Sequence, residues 1–448
     1  MTKTPLPRTS IPSRRDFIKT SWLVAGGAVV GGLSLARSAH AFGSDQIKIG
    51  LIGCGGRGTG AAVQALNTVG HEQLQPNGRV TLVALGDAFE DRVQASYRTL
   101  KGHHRDLVDV PRERQFFGLD AYQRVLETDL DLVILATPPG FRPLHFEAAV
   151  KAGKHVFMEK PLATDSSGIR RILAANEEAK KKGLAVAVGL QRHHERRYRE
   201  TLQRLQDGAI GEILFTRVYW NGHGVWVRKR QAGASELEYQ LRNWYYFTWL
   251  CADHIVEQHI HNLDVSNWLL RGPPAECQGH GGRQVRTGRE HGEIFDHHFV
   301  EYTYPNGTKM FSQCRHIPGC WNVVAEFAHG TQGYADISGA KISNAQGELV
   351  WKFSGKGGNG HQEEHYDLFA ALRRGERPNE AEFGAHSTLT AIMGRLATYS
   401  GQLVKWDEAL NSKRALADFD GLHSFADEAP VQPDAEDAYP VPVPGRIG

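Results

Sequence analysis

Residues 47–52 (IKIGLI) run directly into Gly53-Cys54-Gly55-Gly56-Arg57-Gly58 and then into the helical pattern TGAAVQAL. A short apolar run bounded by glycines reads as a buried strand. Gly53, Gly55 and Gly58 have the spacing G-x-G-x-x-G. The first glycine makes the turn, the second lets the backbone approach a pyrophosphate, and the third lets helix and strand pack closely. The helix that follows turns its unsatisfied N–H groups toward an anion. Gly56 and Arg57 lie in the same loop and join the three glycines as cofactor-binding candidates. Strand, glycine loop and helix in this order predict a dinucleotide-binding α/β domain.

A second strand, 80–85, ends in Gly86-Asp87. An acidic residue there accepts hydrogen bonds from the ribose hydroxyls of the adenosine half, and its charge favours NAD over NADP. The spacing from Gly58 exceeds the usual ~20 residues, and the polar stretch 71–78 (HEQLQPNG) reads as the insertion responsible. Strands at 115–117, 131–136, 155–158 and 184–190 alternate with helices at 122–127, 142–152 and 166–182. That alternation predicts a doubly wound parallel sheet. Beyond residue 190 the pattern becomes antiparallel. Strands 296–304 and 308–315 flank Pro305-Asn306-Gly307, a hairpin signal, and further hairpins centre on 330–333 and Gly347. Helices follow at 363–374 and 387–403, then a Pro- and Asp-rich tail. The domain reading is a leader at 1–41, a nucleotide-binding domain at 42–190, an α+β domain with an open, mostly antiparallel sheet at 191–410, and an extended tail at 411–448.

GCGGRG, Ala136-Thr137-Pro138-Pro139 and Met158-Glu159-Lys160-Pro161, at these relative positions, resemble the Gfo/Idh/MocA oxidoreductases from about residue 47 to 406. The resemblance implies an NAD(P)-dependent oxidoreductase acting on a sugar or sugar derivative. It implies that Lys160 sits beside both the nicotinamide and the substrate hydroxyl. Thr137, Pro138 and Glu159 then contact the cofactor. The family's open sheet carries substrate on one face and dimer contacts on the other, so a homo-oligomer is expected. The segment Asp253-His254-Ile255-Val256-Glu257-Gln258-His259-Ile260-His261-Asn262-Leu263-Asp264 resembles the family's Asp-x-Gly-x-His-x-x-Asp helix. His261 takes the substrate-facing position and works with Lys160. Glu257 stands for the usual Asp and is a third catalytic candidate. His259 replaces the usual Gly.

At helical spacing His254, Glu257, His261 and Asp264 share one stripe. A divalent metal held by His254, Glu257 and His261 with Asp296-His297-His298 is the alternative use of these side chains. They match no recognised metal motif, and none is assigned. Gln191, at a strand end, is a further cofactor-side candidate. Arg192, Tyr245, Tyr246, His259 and His297 are substrate-side candidates, with the aromatic residues 244–246 serving either as a sugar platform or as core.

Ser13-Arg14-Arg15-Asp16-Phe17 precedes an uncharged stretch at 20–35 and Ala39-His40-Ala41, a small-x-small cleavage site. This is the pattern of a twin-arginine signal peptide, so the twin-arginine translocase is an expected partner and the periplasm an expected destination. The apolar run is short for a membrane span, and no stable membrane insertion is expected. Five cysteines without a CxxC pair argue against a disulfide framework. A net charge of +2 gives no reason to expect nucleic acid. Export of a dinucleotide protein implies a cofactor loaded in the cytosol and recycled internally. Three readings follow: sugar oxidoreduction, redox-neutral cleavage of a glycoside by oxidation and elimination, and a non-catalytic sugar-binding module.

Overall fold

The computed structural model describes residues 46–71 and 78–446. The twin-arginine segment and most of the polar insertion after His71 lie outside the described residues. Six parallel strands form the first sheet: β1 (Gln46–Ile52), β2 (Arg79–Asp87), β3 (Gln115–Phe117), β4 (Leu132–Leu135), β5 (His155–Met158) and β6 (Val186–Val188). Their order is β3-β2-β1-β4-β5-β6. Winding reverses between β1 and β4, which opens a crevice at the carboxyl ends of these strands. Leu132 to Leu135 of β4 are all buried, as both faces of a parallel sheet must be.

The second sheet has nine strands. These are β7 (Ile213–Gly222), β8 (Glu276–Gly282), β9 (His297–Thr303), β10 (Lys309–His316), β11 (Val323–Gly330), β12 (Gly333–Asp336), β13 (Lys341–Asn344), β14 (Leu349–Lys352) and β15 (Val404–Lys405). The order is β14-β13-β12-β11-β7-β10-β9-β8-β15. Every pairing is antiparallel except the central one, where β7 and β10 run parallel. Val218, Ser312 and Val300 stand in register on one face, and all three are buried. Helix α1 (Gly56–Leu66) follows the glycine loop, and the short helix α2 (Glu236–Arg242) follows β7.

The expected histidine helix is two helices, α3 (His254–Glu257) and α4 (Ile260–Leu270). The backbone N–H of His259 reaches the carbonyl of His254 at 3.1 Å, a wide turn that breaks the helical period. The single stripe from His254 to Asp264 therefore does not form. Two helices, α5 (Gly360–Arg373) and α6 (Ala381–Ser400), close the domain. Beyond Asn411 no helix or strand follows among the described residues, and the tail packs back onto an aromatic cluster built around Phe89, Phe141, Phe247 and Trp249. All five cysteines are unpaired, and four are buried. Among the described residues no helix is long and apolar enough to cross a membrane.

Candidate active site

The glycine loop is dictated by close approach. Gly53 has φ +98°, and a Cβ there would lie 2.5 Å from the backbone of Ala136 at the end of β4. A Cβ on Gly58 would fall 1.9 Å from the carbonyl oxygen of Gly53. A Cβ on Gly55 would meet nothing within 4 Å, so this position opens onto the cleft. Asp87 fixes the loop from the neighbouring strand: its carboxylate accepts from the N–H of Cys54 at 2.6 Å and of Phe89 at 2.9 Å. Burial pushes the Asp87 carboxyl above its usual range, against those two hydrogen bonds.

A cleft of about 450 Å³ runs along the loop, lined by Gly53, Gly55, Gly56, Arg57, Asp87, Thr137 and Pro138. The open position at Gly55 and the free N-terminus of α1 suit a pyrophosphate. The Thr137 hydroxyl lies 3.1 Å from Nδ1 of His145, and Arg142 donates to the Thr137 carbonyl at 2.7 Å. Arg57 Nε stands 2.9 Å from Glu159, which is buried just before Lys160. Gln191 opens the 3₁₀ turn Gln191–His194 after β6, with a buried side-chain oxygen that has no hydrogen-bond partner.

At the other end of this crevice Lys160 leaves β5 and points at α3. Its ammonium donates to Oε1 of Glu257 at 2.8 Å and to the Glu257 backbone carbonyl at 2.5 Å. His261, in the first turn of α4, is buried, with the Trp220 ring 6.0 Å away and stacked. Burial, and then the charges of Lys160 and Arg192, hold the His261 imidazole well below its ordinary range. The ring is therefore neutral, and its Nδ1 has no hydrogen-bond partner. Beneath it Asp264 accepts from the Ser387 hydroxyl at 2.7 Å and pairs with Nε2 of His193 at 2.8 Å. The Tyr245 hydroxyl is also buried without a partner. Burial and then the Glu257 charge raise its pKa well above that of an ordinary phenol. Lys160 and Glu257 are thus paired, and their charges reach the neighbouring His261 and Tyr245.

Three expected substrate contacts, His259, Tyr246 and His297, are elsewhere, and a fourth, Arg192, lies close enough for its charge to act on His261 but is engaged by another carboxylate. His259 is fully buried and its Nε2 binds the Ser312 hydroxyl at 2.8 Å, so it fixes α4 to the sheet. The Tyr246 hydroxyl donates to the Val225 carbonyl at 3.2 Å from within the aromatic core. Arg192 is committed to the buried carboxylate of Glu326, which also accepts from Tyr198 and Asn262. His297 alternates with buried His298, so it faces the opposite side of the sheet, bonded to Asp296 at 2.7 Å. The expected stripe also loses His254, whose Nδ1 bonds Asp253 at 2.7 Å. Among the described residues Asp253, His254 and His298 do converge, but Asp253 is already shared with Tyr399 and the Phe295 N–H. His261 and Glu257 stand outside that group.

The sequence pattern did not single out Trp220 or Trp226; Trp244, one of the aromatic residues read as a sugar platform or core, instead lines the dinucleotide cleft with Trp226, the two rings 5.8 Å apart. Trp220 carried a usable signal, since it continues the alternation of Thr216 and Val218 along the inner face of β7. Trp226 carried none, because it lies in an irregular loop.

Comparison with known proteins agrees with this architecture. A family model described as "Oxidoreductase family, NAD-binding Rossmann fold" matches residues 47–190, and the "GFO/IDH/MocA C-terminal domain" matches 198–336. An inositol 2-dehydrogenase of Klebsiella pneumoniae (strain 342) is 27% identical over 282 residues, covering 60% of this chain and 69% of that one. A 2,7-anhydro-N-acetylneuraminate hydratase of Escherichia coli (strain K12) is 28% identical over 203 residues, 44% of this chain and 50% of that one. The crystal structure of an aldose–aldose oxidoreductase from Caulobacter crescentus, complexed with glycerol, superposes with a TM-score of 0.63 at 16% identity. It covers 80% of this chain and 99% of that one.

Proposed function

The chain belongs to the Gfo/Idh/MocA family of oxidoreductases, and from that premise we propose that it oxidises a hydroxyl-bearing carbon of a sugar or sugar derivative with bound NAD. The observation that carries this reading is the meeting of Lys160 with Glu257 and the neutral His261 at the end of the dinucleotide crevice. The nicotinamide, when bound, supplies the hydride acceptor. The protein's part is to place the hydroxyl and manage its proton. Lys160 hydrogen-bonds the substrate oxygen, and Glu257 holds the ammonium in place. His261, kept neutral by burial, presents a nitrogen that accepts the proton as the carbonyl forms. The glycine loop and Asp87 hold the dinucleotide, and the carboxylate at Asp87 favours a 2′-hydroxyl over a 2′-phosphate.

A second reading is redox-neutral cleavage of a glycoside: oxidation, elimination, hydration and re-reduction on one substrate. It needs further acid–base groups, and the unpartnered Tyr245 hydroxyl beside Glu257 supplies one. The likeness to a 2,7-anhydro-N-acetylneuraminate hydratase supports it too. In both readings the protein is exported by the twin-arginine route and its cofactor returns to its starting state each cycle.

The test is a panel of free sugars and glycosides given to purified protein without added NAD. Products and bound-cofactor absorbance are followed together. Oxidoreduction predicts an oxidised and a reduced sugar in equal amounts, whereas cleavage predicts a released aglycone. A protein that turns over only with millimolar external NAD contradicts the closed cycle.

A further inference from the structure

The dinucleotide cleft has a second wall that the glycine-loop motif does not supply. Trp226, Arg228, Arg242 and Trp244, all from the segment after β7, line it opposite the nucleotide-binding domain. Trp226 stacks edge-on to Trp244 at 5.8 Å, and the Arg228 guanidinium lies 5.0 Å from the Trp226 ring. Trp226 is 38% exposed, unusual for so large an apolar ring. Arg228 has no carboxylate partner among the described residues. An exposed indole and an unpaired guanidinium in the same cleft as a phosphate-binding loop match the two faces of a dinucleotide, a flat ring system and an anion.

This wall is tied down by the tail, which lies beyond the residues matched by the family models. Phe89, two residues past Asp87, is contacted by both elements. Arg242 stands 3.9 Å from one face of its ring, and Phe425 of the tail stacks at 5.2 Å and 7°. Upstream, Leu416 N–H donates to Asp165 and Asp420 pairs with Arg171, both on the nucleotide-binding side. Downstream, the Val431 carbonyl accepts from Gln240 of α2, and Tyr439 bonds Glu236 of the same helix. The tail therefore crosses from one side of the cleft to the other and holds both.

We propose that the segment carrying Trp226 and Arg228 is a cofactor-binding wall, and that residues 412–446 strap it against Phe89 so that bound dinucleotide leaves slowly. The proposal rests on the reading that this cleft takes NAD. It gives that reading a physical source of retention: release requires the Trp226 wall to part from Phe89, against contacts that the strap makes on both sides.

The test compares the full-length protein with Trp226→Leu and Phe425→Leu. NADH is bound, chased with excess NAD, and its fluorescence decay gives the release rate. Trp226 is exposed, so its replacement leaves the core intact. Phe425→Leu keeps apolar bulk and removes the ring stack, and thermal melts confirm that both variants are folded. Release is expected to quicken by about tenfold or more in each, the scale of losing one stacked aromatic contact. A wild-type rate in either folded variant overturns the proposal. Wild-type protein that neither carries nor takes up a nicotinamide dinucleotide overturns instead the reading of the cleft itself.

Discussion

The Lys160 ammonium bonds Glu257 twice, at 2.8 Å to the side chain and at 2.5 Å to the backbone carbonyl. One residue thus fixes both the charge and the direction of the lysine, and it does so from a helix end rather than a loop. The backbone contact survives any change of the Glu257 side chain, so the two bonds are separable by mutation.

Lys160→Ala removes the donor to the substrate oxygen. Turnover is expected to fall by at least about a hundredfold, the low end for a general acid–base group. Dinucleotide binding, titrated by tryptophan quenching, is expected to stay within about threefold, because the glycine loop and Asp87 do not contact Lys160. Near-wild-type turnover removes Lys160 from the mechanism.

Glu257→Gln keeps the shape and removes the charge. With the backbone contact retained, turnover is expected to drop less than in Lys160→Ala, by about tenfold to a hundredfold. Unchanged turnover in a folded Glu257→Gln protein shows that the pairing only packs the site.

Much of this site was legible because its signals are local. The glycine loop is read from three positions within six residues, and the Lys160 turn from a strand followed by proline. The alternating strands placed β1 to β6 to within two residues at each end. What was not legible depends on tertiary contacts. Nothing in the sequence 254–264 announces the break after Glu257. It is held by Gln258 and His259 bonding His316 and Ser312 on β10, far along the chain. Alternation shows that His297 and His298 face opposite ways, but not which one faces α3 and α6. The basic cluster at Arg192 hides the reason for its arginine, because the partner, Glu326, is distant in sequence and buried.

That pair yields a third prediction. Arg192→Ala leaves Glu326 buried with only Tyr198 and Asn262 to satisfy it. Burial already raises the Glu326 carboxyl, and Arg192 is the principal charge that opposes the shift. Loss of one partner of a buried ion pair costs about 3–5 kcal/mol, read from chemical denaturation. KM for the substrate should be unchanged, since Arg192 is committed to Glu326. A folded variant of normal stability with a raised KM returns Arg192 to the substrate site.

The last prediction concerns acid. Burial lowers the pKa of His145 and His259 to about 3, and of His155 and His254 to about 4. It holds His261, His316 and His365 well below their ordinary range as well. In the unfolded chain each titrates near 6.5. Between the two values the unfolded chain binds more protons than the folded one, so stability falls as pH falls. Each such histidine contributes a slope of up to ~1.4 kcal/mol per pH unit below 6.5. Glu364 works the other way, because burial raises its pKa well above the usual range, and Asp87, Asp131, Glu293 and Glu326, also raised by burial, act in the same sense; the seven histidines outnumber these five carboxyls. His194 behaves differently again. Burial opposes its charge, but Asp367 and Glu380 raise its pKa to about 9, so its contribution is complete below 6.5 and is lost as pH rises through 9. Melting temperature is therefore expected to fall steeply from pH 7 to pH 5 and more gently from pH 7 to pH 9. His194→Gln is expected to flatten the alkaline limb and leave the acid limb in place. Melts that stay level between pH 7 and pH 5 would mean that these histidines reach solvent, and with them the neutral His261 on which proton transfer from the substrate depends.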